Sequence, residues 1–233
     1  MGYLFDRLKN DLHYREGMQA CINCGTCTAI CPAAEYYDYD PRAIVETVQR
    51  GDEAELESLI KSDTIWYCGE CMSCRTRCPR NNTPGLIIMA LRALSQDTGY
   101  FAESEKGRQQ IYLKRTIGHN ILKTGYCVYA KDIGTDTHPE QGPVWDWRQQ
   151  HWKEVMERLG ANYQKPGPGA MRRIPDDAIN ELHKIFEITG GLKQFEKIEE
   201  YSEKKARSLG LQWDETLDNE YLQQTYNGTR QNS

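Results

Sequence analysis

The sequence predicts an all-α protein: a helical domain folded around two cysteine loops, followed by a helical extension. Three observations predict it. Apolar residues recur at three- and four-residue spacing, and no stretch between the cysteine loops alternates like a strand. Two cysteine runs of identical spacing, Cys21, Cys24, Cys27 and Cys31 before Pro32, then Cys68, Cys71, Cys74 and Cys78 before Pro79, fall in the first half of the chain. The composition is polar, with 39% hydrophobic residues and a net charge of −5 over 233 residues. A chain of that length makes one domain, or one with an extension, around a modest core.

Each element has its own justification. Residues 1–17 read as a short amphipathic entry helix with Leu4, Phe5, Leu8 and Leu12 on one face. After the first cysteine run, Asp40 N-caps a helix with Pro41 in its first position. Ile44, Val45 and Val48 form its buried stripe and Gly51 ends it. A second short helix runs through Leu56, Leu59 and Ile60. Thr83 and Pro84 open another, carrying Leu86, Ile87, Met89, Leu91 and Leu94. It is apolar on most sides, so it belongs at the centre of the core, and Gly99 stops it. Residues 101–127 read as a helix and a turn, and 133–143 as a loop. A helix is expected over 144–159, with Trp152, Val155, Met156 and Leu159 on one face. Residues 164–169 are irregular by their prolines and glycines. Helices follow at 176–188 (Ile179, Leu182, Phe186) and 192–209 (Leu192, Phe195, Ile198), separated at Gly190 and Gly191 and closed by Gly210. The expected organisation is a cysteine-bearing domain over 1–105, a helical extension over 106–210 and a polar tail over 211–233 that orders on a partner.

The cysteine spacing carries the chemistry. A cubane [4Fe–4S] cluster needs four thiolates converging on four iron corners. Two-residue gaps let three cysteines of one loop wrap three corners, while the fourth, beside proline, points away. The run C-x2-C-x2-C-x3-C-P is that of bacterial two-cluster ferredoxins, where the fourth cysteine ligates the other cluster. On that pattern one cluster takes Cys21, Cys24, Cys27 and Cys78, and the other Cys68, Cys71, Cys74 and Cys31. Structural zinc sites usually separate two C-x2-C pairs by a longer loop, and disulfide frameworks belong to short secreted chains. With four ligands on each cluster no iron is left open to a substrate. The expectation is an electron relay with no catalytic residue of its own.

The stretches ACINCGTCTAICPAAE and IWYCGECMSCRTRCPRNNTPGLIIMALRALSQDTGY resemble the C subunit of heterodisulfide reductase, over roughly residues 15–105. The likeness includes Trp66 two before Cys68, Arg77 and Arg80 around Cys78–Pro79, Arg92 in the next helix and the closing Gly99–Tyr100. It implies an α-helical ferredoxin that passes electrons between an A subunit that bears flavin and a catalytic B subunit, which holds its clusters in CCG motifs. It implies two [4Fe–4S] clusters on the eight cysteines. No CCG motif is present here, so the catalytic half is elsewhere. The long C-terminal part looks more like the C subunit of the heterodisulfide reductase-like complex of sulfur oxidisers, which implies sulfur-compound oxidation and a lipoate-binding protein reached through the complex. The alternative is a methanogen-type heterodisulfide reductase or another flavin-linked oxidoreductase. Other users of this fold fit less well. The iron–sulfur protein of succinate dehydrogenase needs a [2Fe–2S] domain before the first run, and that of anaerobic glycerol-3-phosphate dehydrogenase appends CCG domains.

The rest of the chain reads quietly. The opening residues are charged and lack an apolar signal core, no run approaches a membrane span, and the thiols are unoxidised, so a cytoplasmic location is expected. A DNA-binding regulator would need a basic stripe, which is missing, so no nucleic acid is expected. Cys127 reads as a free, partly buried thiol. His13, His119, His138, His151 and His183 have no ligand spacing. Arg75, Arg77 and Arg80 are expected to crowd the second cluster and offset its charge, Trp66 to pack over it, and Trp145, Trp147 and Trp152 to serve the core or an interface.

Overall fold

The structure, a computed structural model, describes residues 2–127, 134–135 and 141–230, without the side chains of 226–230. Among these residues there are helices and turns and no strand. They fall into two units divided between Arg108 and Gln109.

The first unit starts with a departure from the expected entry helix. The Asp11 carboxylate accepts from the N–H groups of His13 and Tyr14 at 2.8 and 3.2 Å. That caps a new helix and splits the segment into α1 (Tyr3–Asn10) and α2 (Leu12–Gly17). Leu4, Phe5 and Leu8 are buried, but Leu12, now at the start of α2, is 61% exposed. A capping Asp inside a helical stretch competes with its continuation. A single turn, α3 (Thr26–Ala29), lies in the first cysteine loop, and α4 (Pro41–Arg50), α5 (Glu53–Lys61) and α6 (Pro84–Thr98) follow.

The caps expected at Asp40, Gly51 and Gly99 are present, while Thr83 makes no side-chain cap at the start of α6. Asp40 accepts from the N–H groups of Arg42 and Ala43 at 2.9 and 3.1 Å. Gly51 and Gly99 end α4 and α6 in left-handed conformations. Ile44, Val45 and Val48 from α4 and Leu56 and Ile60 from α5 join Ile87, Ile88 and Leu91 of α6 in one apolar cluster. The Ser95 hydroxyl ties α6 to α5 through the Ile60 carbonyl at 2.6 Å. Gly17 lets α2 lie against α6. A Cβ there would stand 2.9 Å from Leu86 Cβ, and the Gly17 carbonyl accepts from Thr83 N–H at 2.8 Å. The partly buried Cys21, Cys31 and Cys68 pack on this same cluster, so the core lies directly beneath both cysteine loops. The unit ends in α7 (Glu105–Arg108).

The second unit contains α8 (Gln110–Leu113), a π-helical turn over Lys114–Gly118, α9 (His119–Thr124), α10 (Val144–Gln150), α11 (Trp152–Arg158), α12 (Asp176–Ile188), α13 (Gly191–Ser208) and α14 (Glu220–Arg230). The single helix expected over 144–159 is broken at His151, whose ring stacks on Trp147 at 4.6 Å. Leu159 consequently falls outside the packed face and is exposed. Of the loop expected over 133–143, residues 133 and 136–140 lie outside the described residues.

The stretch from Leu211, expected as a polar tail, is built into this unit. Tyr221 and Leu222 on α14 are 0% and 1% exposed. Trp213 meets the Tyr221 ring at 5.5 Å. The anchor is Arg115 in the π-helical turn. Its Nη1 donates to the carbonyls of Asp214 and Thr216 at 2.8 and 2.7 Å, and its guanidinium lies 4.5 Å over the Trp213 ring. Its other side forms a bidentate pair with Glu199 of α13 at 3.0 and 2.8 Å, joined by Lys114 at 2.7 Å.

That pairing gives the unit an acid sensitivity. Burial would raise the Glu199 carboxyl, but the hydrogen bonds from Arg115 and Lys114 outweigh it and hold the group below the usual glutamate range. A depressed carboxyl stabilises the fold fully above its unfolded value of about 4.3. That contribution is lost as pH falls through the folded value. The second unit is expected to lose stability below about pH 4, and Glu199→Gln to flatten that decline. Melting curves between neutral and acid pH would measure the difference. Equal acid limbs in both proteins would remove Glu199 from the explanation.

Candidate metal centres

The two cysteine loops are built alike. In the first, Asn23 and Gly25 take positive φ of 59° and 77°; in the second, Glu70 and Met72 take 53° and 58° at the corresponding positions. Gly and Asn adopt this region readily, whereas Met seldom does. The effect is the same in both loops. The backbone turns so that Asn23 N–H donates to Cys21 Sγ, and Glu70 N–H to Cys68 Sγ, each at 3.4 Å. Cys24 Sγ lies 3.4 Å from the Thr26 hydroxyl, and Cys71 Sγ 3.4 Å from that of Ser73. Those hydroxyls hold the two exposed thiols below the ordinary cysteine range, while burial pushes Cys27 and Cys74 up.

Each loop is held by a helix from the core. Gln49 on α4 accepts from Cys21 N–H at 2.6 Å and donates to the Cys21 carbonyl at 3.2 Å. Arg92 on α6 donates to the carbonyls of Ile65 and Cys68 at 2.8 and 2.6 Å and to the Glu70 carboxylate at 2.5 Å. Its guanidinium lies 5.4 Å over the Trp66 ring. Trp66 therefore packs on the residue that clamps the loop. Arg92→Met is expected to cost about 1–3 kcal/mol, since it strips donors from two carbonyls. It should also speed loss of iron to a chelator from one cluster only. Lys should not rescue it, because one ammonium cannot reproduce the guanidinium fork. Chelator-challenge kinetics on the variants would check both statements.

The sulfurs ring two hollows. The first gathers Cys21, Cys24, Cys27 and Cys78, with Asn82 and Arg80 in its wall. The second gathers Cys31, Cys68, Cys71 and Cys74, with Tyr39 and Met72. Pro84, at the start of α6, lines both. Both hollows are partly open to solvent. Among the described residues, no three Cys, His, Asp or Glu side chains close on a point fit for one ion. Four thiols around a space fit a multi-atom cluster better than a tetrahedral zinc with Zn–S bonds of about 2.3 Å. Two buried hydrogen-bond donors on residues that line these hollows lack a well-aligned partner: Asn82 Nδ2 at the first and the Tyr39 hydroxyl, against the Cys68 thiol, at the second. Asn82 is otherwise engaged, its Oδ1 accepting from Gln19 N–H at 2.7 Å and its N–H donating to Cys78 Sγ at 3.3 Å.

Several expectations change. Arg80 lines the first hollow, and Arg75 lies with Cys78 and Glu16 in an adjoining cleft. None of the three arginines lines the second hollow. All three are exposed. Cys127 is exposed rather than partly buried. Gln49, Tyr39 and Asn82 were not singled out from the sequence. Asn82 had the one usable signal, its place just after the Cys78–Pro79 turn.

Residues 17–82 match the family model described as a 4Fe-4S dicluster domain. The chain is 33% identical to the iron-sulfur C subunit of the CoB–CoM heterodisulfide reductase of Methanopyrus kandleri over 198 residues, 85% of this chain and 78% of that one. It is 47% identical to the C subunit of the ferredoxin:CoB-CoM heterodisulfide reductase of Methanosarcina acetivorans over 87 residues, which is 37% of this chain and 34% of that one. To the C subunit of the H(2):CoB-CoM heterodisulfide,ferredoxin reductase of Methanothermobacter marburgensis it is 29% identical over 175 residues, 75% of this chain and 76% of that one.

Proposed function

Because the chain belongs to the family of heterodisulfide reductase C subunits, we propose that it passes electrons between a flavin-bearing A-type homologue and a CCG-containing B-type homologue. The chain is an iron–sulfur electron-transfer protein with two [4Fe–4S] clusters. The ligands we assign are Cys21, Cys24, Cys27 and Cys78 for one, and Cys68, Cys71, Cys74 and Cys31 for the other. The observation that supports this is the gathering of four cysteines around each of two hollows that share Pro84.

Bound there, each cluster supplies one-electron storage at a potential set by its ligands, net charge and hydrogen bonds. The chain's residues do the remainder. Gln49 and Arg92 hold the loops on the core. The N–H groups of Asn23, Glu70 and Asn82 aim at ligand sulfurs. With every assigned iron closed by cysteine, substrate chemistry belongs to a partner. Among the described residues, no helix is long and apolar enough to cross a membrane. A cytoplasmic complex is part of the proposal.

Two settings suit such a relay. One is sulfur-compound oxidation, with a lipoate-binding protein reached through the complex. The other is a methanogen-type reductase, favoured by the names of the relatives above. The length of the C-terminal half does not separate them, since the Methanopyrus relative is matched over 85% of the chain. Affinity purification of the tagged chain is expected to bring down a CCG protein and a flavoprotein. The chain alone should be brown, bleach on reduction and turn over no disulfide. Turnover by the isolated chain would overturn the relay.

A further inference from the structure

Tyr39 is a tyrosine where phenylalanine would pack as well. It is 4% exposed, and its hydroxyl, which lies against the Cys68 thiol, has no well-aligned hydrogen-bond partner within the chain. A buried unsatisfied hydroxyl is unfavourable and calls for a partner. The ring cannot easily swing away to find one. It meets the Tyr67 ring edge-on at 6.4 Å, and Tyr67 stacks on Tyr37 at 4.5 Å. The backbone is fixed too, because the next residue, Asp40, caps α4. What remains within reach is the second hollow, whose wall Tyr39 shares with Cys31 and Cys68.

We propose that the Tyr39 hydroxyl donates a hydrogen bond to the sulfur of the cluster held in the second hollow and thereby raises its reduction potential. This rests on the assignment of a cluster to that hollow. Reduction adds negative charge to the sulfurs, so a donor aimed at them favours the reduced form. The first hollow presents an amide, Asn82, in place of a phenol. Two clusters with the same cysteine ligands thus meet different donors, which gives the relay two distinguishable centres.

The test is a redox titration of the cluster-loaded chain, followed by paramagnetic resonance, comparing wild type with Tyr39→Phe. At fixed potential the reduced-to-oxidised ratio of one cluster should fall about tenfold, equivalent to about 59 mV for one electron. The other cluster and the iron content should be unchanged. Unmoved midpoints with both clusters present would overturn the proposal while leaving the relay standing. If Tyr39→Phe fails to retain the cluster, a fluorotyrosine placed at position 39 decides. Its more acidic hydroxyl should raise the same midpoint, and no rise would overturn the proposal. A wild-type chain without that cluster would instead sink the ligand assignment.

Discussion

Cys31→Ser is expected to destroy the cluster built from Cys68, Cys71 and Cys74, and Cys78→Ser the one built from Cys21, Cys24 and Cys27. Each replacement falls in one loop and acts on the other. The reason is where the loops end. After Cys31 the chain turns at Pro32, and after Cys78 at Pro79, so each fourth thiol leaves its own loop. Cys78 lines the first hollow and Cys31 the second. A serine hydroxyl is a poor substitute for thiolate, so each variant should keep about half the iron. Paramagnetic resonance would identify the surviving signal, with Cys24→Ser and Cys71→Ser as references for each loop. Loss of the sequence-local cluster in either variant would refute the crossing.

Removing residues 211–233 is expected to unfold the second unit and leave both clusters in place. All eight cysteines assigned as ligands precede Arg108, inside the first unit. The deletion takes away Tyr221 and Leu222, each stabilising by about 1.5–3 kcal/mol when fully buried. It also takes away the Asp214 and Thr216 carbonyls and the Trp213 ring that surround Arg115. Arg115 is itself nearly buried, with a side chain 4% exposed. Against a total stability of about 5–15 kcal/mol, these losses are decisive. Leu222→Ala is the milder form and should cost about 2–5 kcal/mol. Hydrogen exchange on the full and shortened chains would locate the effect. A shortened chain whose α8, α9 and α13 stay protected would show that the segment only decorates the unit.

The parts legible in the sequence were those governed by neighbours in the chain. Asp40, Pro41 and Gly51 bracket α4 within a dozen positions, and the cysteine spacing is local by nature. The all-α class followed from those signals. Contacts between distant residues were harder to read. Arg115 meets Asp214 and Thr216 across a long stretch of chain, so the final segment read as a polar tail awaiting a partner, although Tyr221 and Leu222 are core. Tyr39 looked like one tyrosine among several, because nothing in its own stretch says that it borders Cys68. Met72 in a left-handed conformation had no signal at all, since the matching position in the first loop is the glycine that this conformation favours.

The placement of Cys78 beside Cys21, Cys24 and Cys27 also bears on how the protein is made. Roughly fifty residues separate Cys27 from Cys78, which is about 3–10 s of synthesis at ordinary ribosomal speed. For that interval the emerging first loop has three thiols and no fourth. The second loop is in the opposite position, because its distant ligand, Cys31, has already left the ribosome. Iron delivery to either site is therefore best timed after Cys78 appears, when both sets become complete almost together. Chains stalled before residue 74 should hold no stable cubane, whereas chains stalled well past α6 should hold both.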